Sequence, residues 1–195
     1  MTDRQAEHDI EPLILHRWSP RAFDASALDE ATLMRLFEAA RWAPSSFNYQ
    51  PWTFLYAQRD DANWDSFLSA LIPFNQSWAK NASVLIYILS DTMSQKAPQD
   101  TPTPSHSHSF DAGAAWMALA LQAQRLGLHA HGMTGVDMDA ARRILNVPDR
   151  LRIEAAVAVG RRADPSVLPE QMHGGEKASS RKPLADIVRA GPLPA

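Results

Sequence analysis

Apolar residues recur along this chain with two alternating periods, and together they predict a layered α+β domain. Ile10, Leu13 and Ile14 mark a short amphipathic helix ending near His16-Arg17. Leu33, Leu36, Phe37 and Ala40 repeat at helical spacing over positions 29–42, with Asp29 placed to cap the first turn. Thr53-Phe54-Leu55-Tyr56 reads as the heart of a strand over Trp52–Gln58. Trp64, Phe67, Leu68 and Leu71 give another helix, which Pro73 stops. Positions 83–89 are almost continuously apolar and β-branched, the mark of a strand covered on both faces.

The second half follows the same alternation. Positions 110–126 carry alanine and leucine around the whole circumference of a predicted helix. A helix without a broad polar face needs cover on most sides, so this one is expected at the centre of the domain or at a subunit interface. Gly127 ends it. A strand over 128–133, a helix capped by Asp137 and a strand over 151–159 complete the core. Positions 91–109, rich in proline, serine and threonine, predict an irregular loop. From Gly160 the chain is a polar arm with only Leu184, Ile187 and Val188 as an apolar anchor. This order predicts a mixed central sheet covered by helices in one domain spanning 1–195. The arm, 160–195, is too polar to fold alone, and a second subunit is the surface it is expected to wrap.

Composition narrows the chemistry. With 19 basic and 22 acidic residues the formal charge is −3, which gives no footprint of a nucleic-acid or membrane-surface binder. The 45% hydrophobic content supports a substantial core. Zero cysteines remove disulfides, thiolate metal sites, Fe–S clusters and thiol catalysis. Positions 1–11 are polar and charged, unlike a signal peptide, and no apolar run approaches a membrane span. A cytoplasmic protein is the expectation.

Several polar groups stand where a ligand could use them. The loop Trp42-Ala43-Pro44-Ser45-Ser46-Phe47-Asn48-Tyr49-Gln50-Pro51-Trp52 joins a helix to a strand and carries amides beside aromatic rings. Prolines stiffen it, while serine and asparagine bond nearby backbone. It suits a flat heteroaromatic ligand; an ordinary capped turn is the alternative. Arg17, Ser19 and Arg21 offer forked donors matched to a phosphate, or else solvated surface charge, and the same pair of readings applies to Arg181. Gly135, after Thr134, permits close backbone approach, and the Asn75 amide can read a ring edge with donor and acceptor together. No glycine-rich dinucleotide fingerprint or phosphate loop is present, since Gly132-Met133-Thr134-Gly135 has the wrong spacing. His106 with His108, and His129 with His131, are spaced for a metal pair on a strand, but no carboxylate or cysteine partner accompanies them. Ser45 and Ser46 lack the surroundings of a nucleophile.

Taken in order, Arg17-Trp18-Ser19-Pro20-Arg21-Ala22-Phe23, the Pro44–Trp52 loop, Leu126-Gly127-Leu128, Gly135 and Arg181-Lys182-Pro183-Leu184 resemble the FMN-dependent nitroreductase family. The resemblance runs from about Ile10 to Val188, and the proline-serine-serine to asparagine–glutamine–proline–tryptophan segment is its most specific piece. It implies an α+β homodimer with FMN at the subunit interface and arms exchanged between subunits. Arg17, Ser19, Arg21 and Arg181 look like the family's phosphate and ribityl contacts, with Trp18 among them. Asn75 looks like the side chain that meets the flavin pyrimidine edge. Pro44, Ser45, Ser46 and Asn48 look like contacts brought by the opposite subunit, and Thr134 and Gly135 like the backbone facing the flavin ring. Trp18, Ser179 and Thr134 depart from residues common in relatives, which bears on the phosphate grip and the flavin environment.

The resemblance implies that FMN carries the chemistry, so no catalytic side chain is assigned. NAD(P)H would reduce the flavin, and a small electron-poor acceptor such as a nitroaromatic or quinone would then reoxidise it by a ping-pong mechanism. The alternatives are an FMN storage or sensing module, or a variant with dehydrogenase or deiodinase chemistry. Substrate choice is expected to lie in the loops around Phe47, positions 70–78 and positions 91–109.

Overall fold

A computed structural model describes residues 4–95, 97 and 99–193. Residues 1–3, 96, 98 and 194–195 lie outside it, and with them the two extremes of the expected 1–195 domain and two positions of the expected 91–109 loop.

In chain order the elements are α1 (Pro12–His16), α2 (Glu30–Arg41), β1 (Trp52–Gln58), α3 (Trp64–Ser69), α4 (Pro73–Ala79), β2 (Val84–Asp91), β3 (Met93–Ser94), β4 (Thr103–Pro104), α5 (His108–Arg125), β5 (His129–Met133), α6 (Met138–Ile144), β6 (Leu151–Gly160), α7 (Glu170–His173) and α8 (Leu184–Ile187). Single 3₁₀ turns occupy Ser46–Asn48 and Pro165–Val167.

The main sheet has the order β1-β2-β6-β5, and all three pairings are antiparallel. This corrects the mixed sheet expected from the sequence. The expected single helix between the first two strands is two short helices, α3 and α4, and the chain returns to the sheet at the end it left, with Gln58 opposite Val84. Pro73 both closes one helix and opens the next. At the first helical position its missing N–H costs nothing and its fixed φ suits the helix.

Strand alternation divides the interior into two cores. Leu85, Tyr87 and Leu89 of β2 face a cluster with Phe67, Leu71 and Trp78 from the α3, α4 side. Val84, Ile86 and Ile88 face Leu33 and Leu36 of α2 and Ala115 and Leu119 of α5. The result is helices on both faces of the sheet, with β2 buried from Val84 to Ser90.

Local chemistry fixes the helix ends. Asp29 accepts from the Thr32 amide at 2.8 Å, and Asp137 accepts from Ala140 at 3.0 Å. Gly127 adopts φ +72 after α5, a left-handed conformation that glycine takes without a Cβ clash, and the Leu128 amide reaches back to Ala123 at 2.9 Å. The inner face of α5 is buried, whereas Phe110 and Met117 stand 82% and 42% exposed on the other side. Among the described residues no helix is long and apolar enough to cross a membrane.

Candidate functional site

The loop after α1 rests on β5. His131 bonds through Nδ1 to the Pro20 carbonyl at 2.9 Å. A carbonyl only accepts, so Nδ1 carries the proton. The same imidazole packs on Trp78 of α4 with ring centroids 4.7 Å apart. Trp18 meets His129 edge-on at 6.4 Å, and the Arg162 guanidinium lies 6.0 Å from the Trp18 ring. Burial pushes both imidazoles below their ordinary value. Arg162 adds to this at His129 against an opposing Glu176, while at His131 the Pro20 bond opposes burial. These two histidines, spaced for a metal pair, instead buttress the arginine loop and α4. Their partners lie far off in sequence, so the sequence shows only the spacing.

Arg17 and Arg181 converge from opposite ends of the chain. Both line one cavity of about 1140 Å³, together with Arg4, Trp18, Glu176 and Lys182. Arg17 donates from Nη1 to Ser19 Oγ at 3.3 Å. Arg181 donates from Nη1 to Ser179 Oγ at 3.0 Å and to the Ser180 carbonyl at 2.9 Å. The Arg17 guanidinium is pushed below its ordinary value by burial first, then by Arg181 and Arg4. Among the described residues no ion pair joins Arg4, Arg17 or Arg181 to a carboxylate. The carboxylates on the cavity wall are engaged elsewhere: Glu7 accepts from the Leu184 amide at 2.8 Å, and Glu176 from the Arg21 and Ala22 amides at 2.8 and 2.9 Å. Concentrated positive charge facing a void, with its carboxylates already committed, fits an anion such as a phosphate.

Arg21 stands apart from this group. Its main-chain amide is held by Glu176, its side chain does not line the cavity, and its buried Nε has no partner. Nothing in an arm of scattered charges marks Glu176 as a carboxylate that folds back onto the loop.

A second group forms at the end of β5. Asn75, only 7% exposed on α4, donates from Nδ2 to the Gly135 carbonyl at 3.0 Å. This bond takes one N–H and leaves Oδ1 and the second N–H, so the amide keeps a donor and an acceptor together. A Cβ on Gly135 would sit 2.4 Å from Asn75 Nδ2, so glycine is required for this approach. Thr134, beside it, is exposed.

The third group is separate. Phe47, Asn48 and Gln50 have φ of 49, 58 and 50, left-handed values that cost non-glycine residues about 1 kcal/mol or more each. The turn is held by the Ser46 amide donating to Asp111 Oδ2 at 3.2 Å and the Gln50 amide donating to Ser45 Oγ at 2.9 Å. Ser46 and Phe47 line a different cavity of about 480 Å³ with the β3–β4 hairpin. Within one chain, therefore, Pro44, Ser45, Ser46 and Asn48 do not line the arginine cavity.

His108 opens α5 with Nδ1 2.7 Å from Ser90 Oγ, which donates to Glu154 at 2.5 Å. Among the described residues no group of three or more His, Cys, Asp or Glu is placed to hold a metal.

The nitroreductase family model matches residues 14–161, which include the arginine loop, the Pro44–Trp52 loop and Gly135. The chain belongs to the nitroreductase family. A solved oxidoreductase containing FMN is 45% identical, covering 100% of this chain and 98% of its own, with a TM-score of 0.96. A Desulfovibrio desulfuricans protein solved in complex with FMN is 28% identical over 94% of this chain and 96% of its own, with a TM-score of 0.71. A CLA biosynthesis enone reductase of Lactiplantibacillus plantarum is 29% identical over 94 residues, 48% of this chain and 43% of that protein. The match thus spans less than half the length of that relative. The nitroreductase fold carries the two cores and the antiparallel sheet described above, and this chain is an oxidoreductase of that family.

Proposed function

We propose that this protein is an FMN-dependent oxidoreductase that uses NAD(P)H to reduce a small electron-poor acceptor by a ping-pong mechanism, as a cytoplasmic homodimer. The observation that carries the reading is the arginine cavity, whose guanidinium groups make no ion pair with a carboxylate among the described residues, in a chain 45% identical to an oxidoreductase containing FMN.

Arg17, Ser19 and Arg181 would hold the phosphate and ribityl chain, with Trp18 walling the cavity, and Arg21 would add a donor once its buried side chain turns toward the cavity. Asn75 and the Thr134-Gly135 backbone would orient the ring. FMN, when bound, supplies the hydride chemistry, so the protein contributes orientation, charge and the exclusion of water. The Pro44, Ser45, Ser46 and Asn48 contacts would come from a second copy, since this loop lies away from the arginine cavity of its own chain. The exposed Phe110 and Met117 on α5 supply apolar surface for that second copy, and the arm beyond Gly160 would be exchanged with it.

The acceptor panel follows from the family and the partial relative: a nitroaromatic, a quinone and a conjugated enone. Purified protein is expected to be yellow and dimeric, to bleach with NADH or NADPH without oxygen, and to regain colour with an acceptor. Yellow protein that neither nucleotide bleaches overturns the reductase assignment.

A further inference from the structure

Arg4 has no role in the reading above, yet its guanidinium joins the two chain ends that form the anion cavity. Nη1 donates to the Leu15 carbonyl at 3.0 Å and to the Arg17 carbonyl at 2.7 Å. Nε donates to the Ser179 carbonyl at 2.8 Å, across 175 positions of sequence. Leu15 and Arg17 lie at the C-terminal end of α1, where carbonyl groups have no partner in the next turn. Ser179 is the residue that the Arg181 guanidinium folds back upon, through both its hydroxyl and its carbonyl. One side chain thus fixes the backbone that carries Arg17 against the backbone that places Arg181.

The contact runs against simple electrostatics. Arg4 is pushed below its ordinary value by burial and by Arg181, and it in turn pushes Arg17 down. Among the described residues its acceptors are neutral carbonyls and no carboxylate pairs with it, so it stands beside two like charges. A clamp needed only to tie two segments would be served by neutral donors without that repulsion. A dianion in the cavity reverses the sign, because each added cation then strengthens the field that holds it.

We propose that Arg4 is a positioning residue of the phosphate site: it sets Arg17 and Arg181 to converge on the anion and adds a third positive charge to them. This rests on the FMN reading of the cavity.

The test compares two flavins that differ only in the phosphate. Full-length protein stripped of flavin is titrated with FMN and with riboflavin, following flavin fluorescence, for the wild type, Arg4→Ala and Arg4→Lys. Arg4→Ala is expected to weaken FMN about tenfold, as for a lost charge-assisted contact, while leaving riboflavin within about twofold. Arg4→Lys, which keeps the charge without the fork, is expected to fall between them, and serves alone if the alanine variant does not fold. Equal weakening of both flavins would make Arg4 a general structural tie and overturn the proposal. Unchanged FMN preference in both variants overturns it as well, with the phosphate reading intact. A wild type that binds FMN no better than riboflavin removes the phosphate reading, and the Arg4 assignment falls with it.

Discussion

The Asn75 side chain and the Gly135 main chain are joined by a 3.0 Å hydrogen bond across 60 positions of sequence, and the same carbonyl accepts from the Ile72 amide at 3.1 Å. The start of α4 and the segment after β5 are therefore one unit. Gly135→Ala would push a methyl group to 2.4 Å from Asn75 Nδ2 and 2.8 Å from Ile72 Cδ1. The expected cost is about 1–3 kcal/mol, as for other overpacked sites. A thermal melt should shift down by several degrees, with flavin content falling as Asn75 is displaced.

Arg17→Ala and Arg181→Ala test the cavity itself. Each removes a charge-assisted bond worth about 1.5–3 kcal/mol, equivalent to a loss of roughly tenfold to a hundredfold in FMN affinity. Both side chains lie outside the two cores, so far-ultraviolet circular dichroism should be unchanged. Flavin retention equal to wild type in both variants would remove the phosphate placement.

Asp111 is 3% exposed and accepts from both the Ser46 amide and the Ser107 hydroxyl through Oδ2. Asp111→Ala leaves both donors without this acceptor and releases a turn whose left-handed residues depend on external support. A loss of about 1–3 kcal/mol is expected in the denaturant midpoint. Hydrogen exchange should quicken at positions 45–50 before it does in β2.

His129 and His131 predict the slope of stability against pH. Both have folded-state values lowered from 6.5, chiefly by burial. As pH falls through 6.5 the unfolded chain therefore takes up protons first, and folding stability declines. The decline ends once the folded imidazoles also charge; about a unit or more above 6.5, where both states are neutral, these groups contribute no slope. Urea midpoints measured between about pH 5 and 7.5 should rise with pH, and His129→Phe should flatten the rise by the share of that ring.

Periodicity exposed the elements that bury a continuous face. The α2 repeat, the apolar β2 run and the α5 alanines all appear where the pattern places them, because burial dictates residue type at every such position. Short elements gave weaker signals. The Met93–Ser94 and Thr103–Pro104 pairing is too brief to show alternation, and Pro73 marks both the end of one helix and the start of the next. The arginines of the candidate site were legible as residue types. Their convergence was implied by the family resemblance alone; spacing and composition carry no trace of it, because Arg4 binds main-chain carbonyls that every residue possesses, and Glu176 binds main-chain amides. The antiparallel sheet escaped for a related reason, since direction depends on how connections travel and not on which residues lie inside.

The tie between Arg4 and Ser179 sets an order of events during synthesis. Until the stretch around Ser179 and Arg181 has emerged, the rest can bury β1 and β2 against α2 and α5 but has no second wall for the cationic pocket. Loading of a phosphorylated ligand there must wait for those residues, so a chain stopped short of them can fold its interior and still lack one side of the pocket.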